Sequence, residues 1–183
     1  MSDSLVSRVS NVDITPPRIA ALTGPRLESL LWEWLRMPNL SNLTIVSFVF
    51  ENLLPLSANA IPRGIDTYAT LFSVLGGISR ISPVTFVTSP PKRRDGVSPD
   101  VNRRRDLERL SNDGVRVLLH PQLHAKIYLF ATADRQCWCV GSSNLTAGGL
   151  RSNTEVNIRG YHPADYLNVE NAAKEIALNA VAL

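Results

Sequence analysis

"LHAKIYLFATADRQCWCVGSSN", residues 123–144, reads as a strand, a turn and a second strand. Two runs rich in β-branched and aromatic residues flank Thr132, Ala133, Asp134 and Arg135, where the turn falls. Alternate residues of a strand share a face, so His124 and Lys126 point the same way. Pairing Phe130 with Cys137 sets Lys126 opposite Gly141 and His124 opposite Ser143. A slip of one residue sets His124 opposite Asn144 instead. In either register an imidazole, an ammonium, a hydroxyl and a carboxamide meet at the open end of the hairpin. Such groups add nothing to a hydrophobic sheet, so their convergence points to chemistry.

Outward from the hairpin, the chain alternates helices and strands. Gly24-Pro25 opens a helix over 24–37, with Leu27, Leu30, Leu31, Trp34 and Leu35 as its apolar stripe. "LTIVSFVF" (43–50) reads as a buried strand and 52–64 as a loop. A helix is expected over 65–75, closed by Gly76-Gly77. "VTFVTS" (84–89) is a strand, Pro99-Asp100 starts a helix that Gly114 stops, and "VRVLL" (115–119) is the next strand. The hairpin supplies two more, 155–159 a sixth, and the chain is helical from Pro163 to its end. The fold class this predicts is α/β, a mixed central sheet with helices on both faces. One domain over 1–183 is expected, with 1–23 loosely ordered.

Composition excludes several classes. At 183 residues with 44% hydrophobic content the chain is long enough and apolar enough for a core, which argues against disorder. No apolar run approaches a membrane span, and the N-terminus lacks a signal-peptide pattern, so a cytoplasmic location without membrane attachment is expected. Cys137 and Cys139 share a strand face about 7 Å apart, beyond disulfide reach, and read as core. With His120, His124 and His162 they make no zinc spacing, so neither metal nor cofactor is predicted.

A lysine and an amide donor can hold the non-bridging oxygens of a phosphate while a histidine attacks phosphorus or passes a proton. "SSNLTAGG" (142–149) reads as a helix start beside that set, a natural anion site. Glu155, eleven residues beyond Asn144, can orient the imidazole if its strand neighbours the hairpin. Singly, each residue has an ordinary explanation: a hydrogen-bonded strand histidine, an edge lysine, a turn. Their joint arrangement is what suggests a site.

H-x-K followed across a hairpin by G-S-x-N resembles the signature of the phospholipase D superfamily, and "HAKIYLF…VGSSNLTAGGL" with "NTEVNI" is similar to its nuclease branch. The spacing of His124, Lys126, Asn144 and Glu155 resembles that in the catalytic domain of metal-independent restriction endonucleases of the BfiI type. One departure is Ala131, where the family often has an acidic residue. Asp134 comes later and is assigned a turn role. The resemblance implies a phosphohistidine formed on His124, with Lys126, Asn144 and Ser142 or Ser143 gripping the phosphate. It also implies two H-x-K motifs per site, whereas this chain has one. A homodimer with a single shared site at its two-fold axis is therefore expected.

The charge pattern bears on the substrate. Lys92, Arg93, Arg94, Arg103, Arg104, Arg105 and Arg109 face four acidic residues within 90–110, which accounts for the whole net charge of +3. Arg105 and Arg109, at i and i+4, share a helix face. Charge alone fits a solvated surface as well as a polyanion site. Beside a phosphodiesterase site it favours nucleic acid, DNA by the resemblance, with RNA open. Two other readings stay open, a phospholipase or phosphatidyl transferase and a non-catalytic nucleic-acid-binding domain. No module for reading base edges is visible. Sequence specificity is thus expected from a separate domain or subunit, as in a restriction endonuclease, and an apolar helical pattern running to the last residue fits such an attachment.

Overall fold

The computed structural model describes residues 19–54, 70–93 and 96–183. Its elements run β1 (Ile19–Leu22), α1 (Gly24–Leu35), β2 (Leu40–Ser47), α2 (Leu71–Ser79), β3 (Val84–Thr88), α3 (Val101–Asn112), β4 (Arg116–Leu119), β5 (Lys126–Thr132), β6 (Gln136–Gly141), β7 (Asn157–Gly160), α4 (Pro163–Leu178) and β8 (Val181–Ala182). The strands form one mixed sheet in the order β1-β7-β6-β5-β2-β3-β4-β8. The β2, β3 and β4 strands are mutually parallel and every other pairing is antiparallel. The α/β class with a mixed sheet and helices on both faces is as the sequence predicts.

Alternation decides which side each strand residue serves. Leu43, Ile45, Phe86, Tyr128, Phe130, Cys137 and Cys139 face the buried stripe of α1, the apolar residues of α2, and Leu107 and Leu110 of α3. Val46, Val87, Ile127, Leu129 and Trp138 face Tyr166 and Ala173 of α4. Phe130 pairs with Cys137 in the predicted register. Both cysteines are buried and free, and burial pushes each thiol up to about 12, so they are inert core residues.

Three boundaries differ from expectation. Within the segment expected to be loosely ordered over 1–23, Ile19–Leu22 instead pairs with β7 at the sheet edge; residues 1–18 lie outside the described residues. The second helix begins after Thr70, whose hydroxyl accepts from the Ser73 N–H, and it runs through Gly76-Gly77 instead of ending there. Neither glycine has positive φ, and a Cβ at Gly76 would lie 2.8 Å from the Asp113 Cβ. This glycine therefore serves close packing rather than termination. Its expected first turn, 65–69, lies outside the described residues, as does most of the expected loop. Finally, α4 stops at Leu178. Asn179 donates its amide to the Glu175 carbonyl, and the chain turns into β8 along the free edge of β4.

Candidate active site

Antiparallel pairing brings the start of β5, the end of β6 and the approach to β7 together, beside the ends of the parallel strands β2 and β3. Open α/β sheets place ligands at such strand ends. The strand proper begins at Lys126, so His124 stands just before it, exposed. The Lys126 ammonium is buried, donates to the His124 carbonyl at 2.7 Å and lies 3.4 Å from His124 Nδ1. The latter contact is at the limit of hydrogen bonding. An ammonium can only donate, so attack through Nε2 requires Nδ1 to turn its proton toward an acceptor.

Ser142 extends the β6–β7 ladder by one step, its N–H donating to the Val156 carbonyl at 3.1 Å. Its hydroxyl donates to Glu155 Oε2, so the carboxylate stands at the hairpin mouth, where orienting the imidazole requires it. Among the described residues no hydrogen bond joins Glu155 to His124. Asn144 accepts the Val49 N–H on Oδ1 at 3.4 Å, which leaves its amide hydrogens as donors. His124, Lys126, Ser142, Asn144 and Glu155 thus come to one place. Ser143 does not. It is fully buried, its hydroxyl accepts from Asn157 Nδ2 at 2.8 Å, and its carbonyl accepts from the Tyr128 hydroxyl at 2.9 Å.

The expected helix start at "SSNLTAGG" is corrected. Only a single π-helical turn, Gly148–Ser152, forms there, too short to act as an anion site through its N-terminus. Its role is to press Gly149 against Asn144, where an added Cβ would lie 2.4 Å from the Asn144 carbonyl oxygen. Asp134 accepts the Thr132 hydroxyl at 2.8 Å and so has the turn role assigned to it.

Several residues of the site carry no sequence signal of their own. Buried Ser47 donates to the Val49 carbonyl at 2.6 Å and accepts the Leu145 N–H at 2.9 Å, fixing the segment that bears Asn144. Glu51 accepts the Ala147 N–H at 2.7 Å. Asn157 bonds both the backbone and the hydroxyl of Ser143. Phe48 lies with its ring centroid 5.5 Å from that of His124, and the Lys126 ammonium stands 5.7 Å from the same ring.

The basic segment divides. Lys92, Arg93 and Arg103 line a cavity bounded by Phe48. Arg104 is held 3.0 Å from Glu108, and Arg105 and Arg109 are exposed on α3 away from that cavity. Arg94 lies outside the described residues. Among the described residues, no group of three or more His, Cys, Asp or Glu side chains is placed to hold a metal ion. Nor is any helix there long and apolar enough to cross a membrane.

Burial holds the Lys126 ammonium below the usual lysine value of 10.5, while the Glu155 carboxylate opposes the shift. Activity and stability are expected to move in opposite directions as pH approaches 10.5 from below. If Lys126 holds the substrate's phosphate, deprotonation removes that charge and activity falls. The unfolded chain still holds that proton more tightly than the folded one, so stability rises through the same window. Activity and urea-unfolding profiles across this range check the prediction. Lys126→Arg, charged to higher pH, should lose the alkaline limb in whatever activity remains.

Known proteins carry the same architecture. The family described as "Cardiolipin synthase, PLD-like domain" matches residues 82–177. The phospholipase D family member Nuc from Salmonella typhimurium superposes with a TM-score of 0.59 at 11% identity, over 90% of this chain and 95% of that one. NucT from Helicobacter pylori gives 0.55 at 13% identity, over 90% and 98%. The phosphatidylserine synthase of Haemophilus influenzae Rd KW20 gives 0.60 at 17%, over 90% of this chain but 40% of its own. No curated protein matches the sequence.

Proposed function

The chain belongs to the phospholipase D superfamily through its PLD-like domain, and on that footing we propose that it is a metal-independent nuclease cleaving DNA through a phosphohistidine in a homodimer. One observation carries the reading: an exposed His124 backed by the buried Lys126 ammonium, with Asn144, Ser142 and Glu155 at the same sheet end.

In the first step His124 Nε2 attacks phosphorus and the P–O bond to the leaving nucleotide breaks. The leaving oxygen takes a proton from the partner's His124, the second acid that one motif per chain cannot supply. Water then attacks the phosphohistidine, giving its proton to the same partner histidine. The P–N bond breaks, leaving a phosphate monoester on the product and both histidines as they began. Lys126 and the Asn144 amide hold the non-bridging oxygens, where charge accumulates. Glu155 receives the Nδ1 proton's hydrogen bond once the ring turns. These donors supply the positive charge that a metal supplies in other phosphoryl-transfer sites. Sequence specificity would come from a separate domain or subunit, making the chain the catalytic part of a restriction enzyme or of another defence or repair nuclease.

A lipid-directed reading draws on the name of the matching family and on the Haemophilus synthase. The Lys92, Arg93 and Arg103 rim favours a repeating polyanion instead. The deciding experiment incubates the protein with plasmid DNA and, separately, with phosphatidylglycerol vesicles, both in excess chelator. Cutting, with an acid-labile DNA adduct mapped to the peptide bearing His124, is expected. Cutting only on adding magnesium, or headgroup release without cutting, would overturn the proposal.

A further inference from the structure

The cavity beside His124 has a composition that phosphate binding alone does not explain. It holds about 280 Å³, with Phe48, Pro90 and Pro121 forming apolar walls and Lys92, Arg93 and Arg103 a basic rim. Phe48 is 36% exposed and belongs to neither buried cluster, whereas Phe50, two residues on, is 2% exposed and packs edge-on against Phe86. Its exposure is not slackness. The Phe48 carbonyl accepts from the Ser89 N–H at 3.4 Å and from the Thr88 hydroxyl at 3.4 Å, so its backbone is tied to the end of β3. A large flat side chain is thus partly exposed on a fixed backbone, in ring contact with His124 and lining the cavity.

We propose that this cavity is a nucleobase subsite, in which Phe48 stacks the base next to the scissile phosphate and the basic rim holds the following phosphate. The inference rests on the nuclease reading and narrows its substrate class to single-stranded or locally opened DNA. In a duplex both faces of a base are covered by its neighbours, so none is available to an isolated aromatic wall. The volume suits one planar ring system, at the small end of ligand sites, and not a base pair. The charge is complementary. Among the described residues only Arg103 of the three rim cations has a carboxylate nearby, Asp100 Oδ2 at 3.6 Å, and Lys92 and Arg93 are exposed. Prolines add rigid apolar surface without donors that would compete for phosphate.

The test compares kcat/KM on an oligodeoxythymidylate and on an abasic tetrahydrofuran oligomer of equal length and charge. Wild type should prefer the base-bearing strand by about tenfold or more, the effect of one stacked base. Phe48→Ala should bring that ratio near one, and Phe48→Trp should keep it. Arg103→Ala should lower both rates together. Equal cutting of the two strands by wild type would overturn the subsite while leaving the nuclease reading intact. Loss of both rates by the same factor in Phe48→Ala would make the ring a mere support for His124, also overturning it. Cutting of plasmid but of neither strand would likewise overturn the subsite, and cutting of neither strand nor plasmid would overturn the nuclease reading itself. Hydrolysis of phosphatidylglycerol vesicles, weakened by Phe48→Ala, would reassign the cavity to a lipid.

Discussion

Replacing His124 by alanine should lower chelator-resistant DNA cutting by about 10⁴-fold or more, the scale of loss when the nucleophile of a covalent hydrolase is removed. The fold should barely respond, because the side chain is exposed and precedes its strand. DNA binding should survive with its salt dependence, since the rim cations are untouched. Quantified nicking of supercoiled plasmid, together with a thermal melt, reads both halves. Mixing the inactive variant with wild type sharpens the result. If each subunit supplies one histidine to a common site, mixed dimers are dead, and activity falls with the square of the wild-type fraction. A linear fall would refute the shared site, and undiminished cutting by the variant would refute the histidine mechanism altogether.

Much of this site is legible in the amino-acid sequence because its members follow one another along a hairpin. Strand periodicity places His124 and Lys126 on one face, and the Phe130–Cys137 register brings the Gly141–Asn144 segment to meet them. Spacing alone, however, cannot separate neighbouring serines. Ser142 faces Glu155, whereas Ser143, on the opposite side of the pleat, is consumed by Asn157. Nor can an apolar run announce its own end. "LTIVSFVF" reads as one buried strand to residue 50, yet the strand stops at Ser47, whose hydroxyl caps the Val49 carbonyl and turns Phe48 outward. Which arginines of the basic run reach the site depends on the path of the loop, and periodicity is silent on that. Periodicity likewise carries the last helix to the chain's end, since the hydrogen bonds offered by the edge of β4 leave no trace in local propensity.

Arg151→Ala should be the most destabilising of the charge substitutions. Glu28 is fully buried on α1, and nothing in that helix's stripe of leucines singles it out. Its carboxylate accepts from Arg151 Nε at 2.9 Å and Nη2 at 2.7 Å, and from Trp32 Nε1 at 3.3 Å. The pair joins positions 123 residues apart and anchors the π-helical turn that presses on Asn144. Removing the guanidinium leaves a buried carboxylate with only the indole donor, a loss of about 3–5 kcal/mol. For a chain of this length that lowers Tm by about 6–20 °C. Glu28→Gln should cost less, because Arg151 keeps 29% exposure and can turn to water. The double variant Glu28→Met/Arg151→Met should recover part of the loss, since two apolar side chains leave no stranded charge. Calorimetry on the three proteins checks the order. Equal losses for the two single variants would show that the pair acts through packing and not through charge.

The bond from Ser47 to the Leu145 N–H spans 98 positions, and β2 lies in the sheet between β3 and its late-arriving partner β5. A chain leaving denaturant must therefore close long loops before the β2–β5 contacts form, which favours slow completion of the sheet. Helices α1 to α3 can collapse early on local information, but they contain no member of the proposed catalytic set. Recovered activity should thus track the slowest refolding phase, when β5 docks beside β2. Kinetic intermediates would be catalytically silent however helical they look.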